Sequence, residues 1–110
     1  MTDTLTTTAR VPTTSGSKYL QQLCKHWSHN LAVEFTPEHG TVTFPRDGRA
    51  GTFPEDGLCT FDAAEDALVV RIDASTEAQL HALEDVVARH LDRFAFREAP
   101  LPFDWLSTEA

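Results

Sequence analysis

Long apolar runs are missing from this 110-residue chain, so nothing in it matches the ~20 apolar residues that a membrane-crossing helix needs. A basic stripe is missing as well. The nine Lys and Arg stand singly, at Arg10, Lys18, Lys25, Arg46, Arg49, Arg71, Arg89, Arg93 and Arg97, against 17 acidic residues, which leaves a formal net charge of −8. Nucleic-acid binding depends on neutralising phosphates and anionic membranes attract basic clusters, so neither partner is expected. The first residues, MTDTLTTTAR, carry neither the basic nor the apolar stretch of a secretory leader. Only two cysteines occur, and without a leader they read as free thiols in a reducing cytoplasm. Also absent are GxGxxG, P-loop, GxSxG, HExxH and CxxC patterns, and with them the common signatures of cofactor, nucleotide, hydrolase and metalloprotease chemistry.

What is present describes one domain. Apolar residues make up 41% and charged residues 24%, ordinary values for a soluble globular chain. A chain of this length buries roughly two-thirds of its unfolded surface and needs neither disulfide nor structural metal to fold. Residues 1–8 are expected to form a flexible Thr-rich N-terminus, 9–106 the domain and 107–110 a C-terminal tail. Ala9–Thr13 suits a first strand, with Pro12 at its end or at a sheet edge.

After the loop Thr14–Ser17, the apolar positions Leu20, Leu23, Cys24 and Trp27 follow the spacing of an amphipathic helix that Asn30 is suited to stop. Short β-branched and aromatic runs at Ala32–Phe35, Thr41–Phe44, Gly51–Phe53, Leu58–Phe61 and Leu68–Asp73 predict an antiparallel meander. Two of its connections read FPxDG, at Phe44–Gly48 and Phe53–Gly57, and are expected to be turns whose Asp-Gly supplies a positive φ. Thr76 and Gln79 form a capping box ahead of a second helix with Leu80, Leu83, Val87, His90, Leu91 and Phe94 on one face. Phe103, Trp105 and Leu106 predict a tail packed back on the domain. The order is therefore α+β, strand–helix–antiparallel β meander–helix, with two helices packed on one face of the sheet. It is similar to the TATA-binding-protein-like fold by analogy of topology only, since fold carries no function.

Residues with ligand chemistry concentrate on the two helices. His26 and His29 are three apart and could chelate together, with His90 on the flank of the second apolar stripe as a third ligand. Cys24 and His26 point to nearly opposite sides of a regular helix and cannot share an ion. Tyr19, Cys24, Trp27 and Phe94 are read as core or pocket wall. The plainer alternative makes Cys24 a small core residue and His26 and His90 half-buried helix histidines bonded to a carbonyl or carboxylate. His39 reads as a turn residue and His81 as a solvated one. No catalytic residue set is assigned.

The stretches LCKHWSH (Leu23–His29) and HLDRFAFRE (His90–Glu98), with Tyr19-Leu20, Val86-Val87 and Trp105, are specific. On them, the chain from about Ala9 onward resembles the bacterial domain-of-unknown-function family 2218 (DUF2218). The resemblance implies a compact α+β domain with no established activity. It also implies an iron or haem connection, because such domains are found near siderophore-interacting or iron-uptake proteins. The expectation is an acidic bacterial protein that binds a metal or iron-bearing ligand (iron, zinc or haem) through His26, His29 and His90. The alternative is a non-enzymatic protein-interaction domain or homodimer docking through sheet residues such as Val33, Phe35, Val42, Phe44 and Phe61. An enzyme using His26 and His90 as an acid–base pair ranks last.

Overall fold

Alternation of inward apolar and outward polar residues organises the sheet of the computed structural model, which describes residues 5–48, 51–98, 101 and 103–109. The strands β1 (Leu5–Pro12), β2 (Ala32–Phe35), β3 (His39–Phe44), β6 (Gly57–Ala63), β7 (Ala67–Ala74) and β8 (Leu106–Glu109) form one antiparallel sheet in the order β2-β3-β6-β7-β1-β8. The meander is thus followed by pairing of β7 with β1, in register from Leu5↔Ala74 to Pro12↔Ala67. Helices α1 (Gly16–Trp27) and α2 (Glu77–Phe94) lie together on one face. The architecture is α+β, a single domain with a Cα radius of gyration of 13.1 Å, as expected for about 100 residues.

The covered face and the helices supply the core. Val42, Cys59, Phe61, Leu68, Val70 and Ile72 point inward against Leu20, Leu23, Cys24, Leu83, Val87 and Leu91. The opposite face is polar, and one row across the sheet reads Glu34–Thr41–Thr60–Arg71–Thr8–Leu106. Val42, Phe44 and Phe61 are buried beneath the helices and Val33 is partly so, which leaves only Phe35, at the sheet's edge, exposed among the expected docking residues. Val42, Phe44 and Phe61 thus serve the core beneath the helices.

Several boundaries differ from the sequence reading. The first strand begins at Leu5, four residues before Ala9, because its threonines continue the ladder and Thr6 Oγ1 donates to Asp73 Oδ1 at 2.6 Å. Residues 1–4 lie outside the described residues. The tail is a strand as well: residues 106–109 pair with 5–8 of β1, and Leu106, expected to pack, is 69% exposed. Phe103 and Trp105 do pack on the core, with their rings stacked 5.5 Å apart.

Gly51–Phe53 does not join the meander. Its first two residues, as β5 (Gly51–Thr52), pair only with β4 (Asp47–Gly48) in a separate two-stranded ribbon. The second FPxDG sequence bends the chain at Pro54 and Glu55, and Asp56 Oδ1 accepts from the Arg46 N–H at 2.7 Å. Gly57, however, does not have a positive φ; a Cβ there would collide with Leu83 Cδ1, so its glycine lets α2 approach β6.

α2 starts as its capping box dictates: Thr76 Oγ1 accepts from the Gln79 N–H at 3.0 Å, while the Gln79 side chain bonds Ser75 and the Glu55 carbonyl. α1 ends at Trp27, earlier than Asn30, and a turn in which both Asn30 and Leu31 donate to the Trp27 carbonyl leads on to β2.

Candidate functional site

The two helices bring their last turns together, and this pairs the two histidines on their flanks. The ring centroids of His26 and His90 are 5.5 Å apart, with an interplanar angle of 43°. Trp27 lies against His90 at 5.2 Å, and Phe94 meets His26 edge-on at 5.7 Å. Beneath, Trp27 contacts Phe44 at 5.3 Å and stacks on Phe61 at 6.3 Å, so the aromatic floor of the histidine pair is continuous with the core.

The protonation pattern of His90 follows from one contact. Its Nδ1 lies 2.7 Å from the Val86 carbonyl oxygen, one turn back on α2. A carbonyl only accepts, so Nδ1 carries the hydrogen and Nε2 keeps its lone pair in the neutral ring. His26 is exposed, yet its pKa is lowered from the ordinary 6.5 by partial desolvation, then by His90, Arg93 and His29. The groups acting on it are all cationic or cation-forming, and no carboxylate is among them.

The other residues singled out from sequence are placed elsewhere. His29 lies in the turn that follows α1, which ends at Trp27. Among the described residues no three His, Cys, Asp or Glu side chains come within reach of one ion, so the three-histidine set is not assembled. Cys24 is wholly buried, with Sγ facing Gly40, and burial pushes its thiol up to about 11. Cys59 is buried too, and its thiol is likewise raised well above the ordinary 9.0, by burial and then by the charges of Cys24 and Asp73. Cys24 is thus core rather than pocket wall. A thiol reagent at pH 8 is expected to leave both cysteines of the folded chain unmodified and to label both in denaturant, read by mass spectrometry. Labelling of the folded chain at the rate of a model thiol would contradict this burial. His39 and His81 are surface residues beside Asp62 and Glu84, at 2.6 and 2.9 Å.

Tyr19 also leaves the histidine pair. Its hydroxyl donates to Glu98, whose carboxylate also accepts from Thr13 Oγ1 at 3.0 Å. The same Thr13 oxygen accepts from the Ser15 N–H that precedes α1. Glu98 therefore ties the segment after α2 to the start of α1. Its hydrogen bond raises the Tyr19 pKa above the ordinary 10.0, with burial and the Glu98 charge adding to it. Sequence reasoning missed this network. It also missed an open depression of about 570 Å³ on the first turns of α1, lined by Thr14, Ser15, Ser17, Lys18, Gln21 and Gln22.

Comparison with known proteins adds a family. Residues 8–106 match the family model described as "Uncharacterized protein conserved in bacteria (DUF2218)". The chain belongs to this family. Among solved structures, it is similar to the NMR structure of PA4090 from Pseudomonas aeruginosa, at 28% identity and a TM-score of 0.64, covering 98% of this chain and 96% of that one. No curated protein matches the chain. For this DUF2218 member the resemblance seen in the sequence thus extends to nearly the full length. Among the described residues, no helix is long and apolar enough to cross a membrane.

Proposed function

We propose that this DUF2218 protein binds a divalent transition metal, or a ligand carrying one, through His26 and His90. The spacing of the two rings carries the reading. Metal–nitrogen bonds of about 2.0–2.1 Å at a tetrahedral angle set the centres of two ligating imidazoles about 5 Å apart. The His26 and His90 centroids stand at 5.5 Å. His90 further has its Nδ1 held by the Val86 carbonyl, the outer hydrogen bond by which proteins orient a ligating histidine and leave Nε2 for the metal.

The chemistry of the pair narrows the ion. Imidazole nitrogen suits zinc, iron, copper and nickel, while calcium and magnesium require oxygen ligands. Both histidines sit near helix C-termini, whose partial negative charge favours cations over anions. Arg93 opposes a cation at His26, which points to a reversibly held metal in place of a structural one. Two protein nitrogens leave coordination positions open, and transient handling of iron, zinc or haem in the cytoplasm fits that openness.

The test uses untagged protein stripped of metal and titrated with zinc, iron(II) and haem by calorimetry and visible absorption. The His26→Ala/His90→Ala double variant, checked for folding by circular dichroism, runs alongside. Uptake by the parent and a loss of at least tenfold in affinity in the variant are expected. A parent that takes up none of the three would overturn the reading.

A further inference from the structure

We infer that the metal reaches His26 and His90 as an anionic chelate, wrapped in oxygen donors such as carboxylates, and that Arg93 and Arg97 seat its negative charge. This rests on the metal-binding reading above and names the class of ligand that carries the ion. The distribution of charge is the first observation. The chain has 17 acidic residues, yet residues 4–33 contain none, so α1 carries Lys18 and Lys25 and no acid. α2 is divided. Glu77, Glu84 and Asp85 fall in its first half, whereas exposed Arg93 lies in its last turn and exposed Arg97 just beyond. The two carboxylates of this stretch are already engaged: Asp92 accepts from the Leu101 N–H at 3.0 Å, and Glu98 accepts from Tyr19 and Thr13.

The arginines border the histidine pair. Arg93 is three residues after His90, on the same flank of α2, and is next to Phe94, whose ring meets that of His26 at 5.7 Å. The Arg97 guanidinium stands 5.8 Å from the centre of the exposed Phe96 ring, and its charge acts on Tyr19 of α1. A bare divalent ion at the pair meets these cations unopposed. A chelate of net negative charge reverses the sign, and each guanidinium then offers a carboxylate its planar fork of donors. Coordination agrees with charge. Two imidazoles leave positions open on the ion, and a chelating polycarboxylate fills them without a further protein ligand. The net charge of −8 acts weakly at this place. Glu34, Asp62 and Asp73 stand on the sheet face away from the helices, and exposed charges more than about 8 Å apart are largely screened in physiological salt.

Two nickel(II) complexes separate charge from coordination. Nickel nitrilotriacetate is an anion and nickel tris(aminoethyl)amine a dication, and each leaves two adjacent positions for imidazole. Each is titrated by calorimetry into untagged, metal-stripped protein. The anionic complex is expected to bind about tenfold more tightly or better, by an advantage that shrinks as salt is added. Arg93→Glu/Arg97→Glu, checked for folding by circular dichroism, should erase or invert that preference without weakening uptake of the aquo nickel ion. His26→Ala/His90→Ala should abolish binding of both complexes. Equal or tighter binding of the dication by the parent would overturn the anionic chelate and leave the metal-binding reading standing. A preference that persists in the arginine variant would remove the arginines from the site and overturn the inference. Binding of the anion that survives loss of both histidines would show attraction to the arginines alone and overturn it as well. A parent that takes up neither complex nor the aquo ion would overturn both readings.

Discussion

Phe61→Ala is expected to lower the unfolding free energy by about 3–5 kcal/mol. Phe61 sits on β6, inside the meander, and is fully buried. Its ring stacks on Trp27, which in turn lies against Phe44 and His90. Truncation to alanine removes most of a benzyl group from water-free contact and leaves a cavity walled by rigid aromatics that cannot collapse into it. The loss has a functional side, because Trp27 is the floor on which the His90 ring rests. Urea unfolding with unchanged slope measures it. The companion is Phe96→Ala, at a side chain 71% exposed, expected to change stability by less than about 0.5 kcal/mol. If Phe61→Ala were as mild as Phe96→Ala, the core would not be where β6 places it.

Phe61 also shows why so much of this fold was legible. Period-two alternation from Cys59 and period-3.6 stripes at Leu20–Trp27 and Leu80–Leu91 are local signals, and each named the buried face correctly. What was missed lay between distant residues. Thr6 and Thr8 carry no apolar signal, and only their neighbours β7 and β8 make them part of a strand. Glu98 and Tyr19 are 79 residues apart, so no spacing rule reaches their hydrogen bond. Gly57 reads as a turn glycine in its Asp-Gly context, but its lack of a side chain answers to Leu83 on the other layer.

The histidines divide in the same way. Placing His26 and His90 on the flanks of two stripes follows from helical geometry, and two helices on one face make their meeting natural. His29 depended on one more turn of helix than the chain forms. The Asn30 and Leu31 amides both donate to the Trp27 carbonyl in the turn that follows the helix, and His29 is not gathered with His26 and His90 into one three-ligand group among the described residues. Tyr19, near the other end of α1 and read from sequence as core or pocket wall, is recruited by Glu98.

Gly40→Ala is expected to destabilise the domain by about 1–2 kcal/mol, although alanine ordinarily improves a strand over glycine by about 0.5–1 kcal/mol. Gly40 is buried on β3, opposite Phe35 and Phe61, and its φ is not positive, so conformational freedom is not what it supplies. It supplies space. A Cβ there would stand 2.8 Å from Cys24 Sγ, 3.2 Å from Phe35 Cβ and 3.4 Å from Leu20 Cδ2. Sulfur is the closest and sits on a short side chain with no room to retreat. The cause is checked by a double-mutant cycle in urea. Cys24→Ala alone loses one buried sulfur and costs on the order of 1 kcal/mol. In the double variant the new methyl occupies part of the vacated volume, so its destabilisation should fall short of the sum by more than about 0.5 kcal/mol. Simple additivity would mean that the two side chains do not meet. A favourable coupling would establish Cys24 as a packing residue that sets the distance between α1 and β3, and that distance in turn positions the last turn of α1, with His26, beside His90.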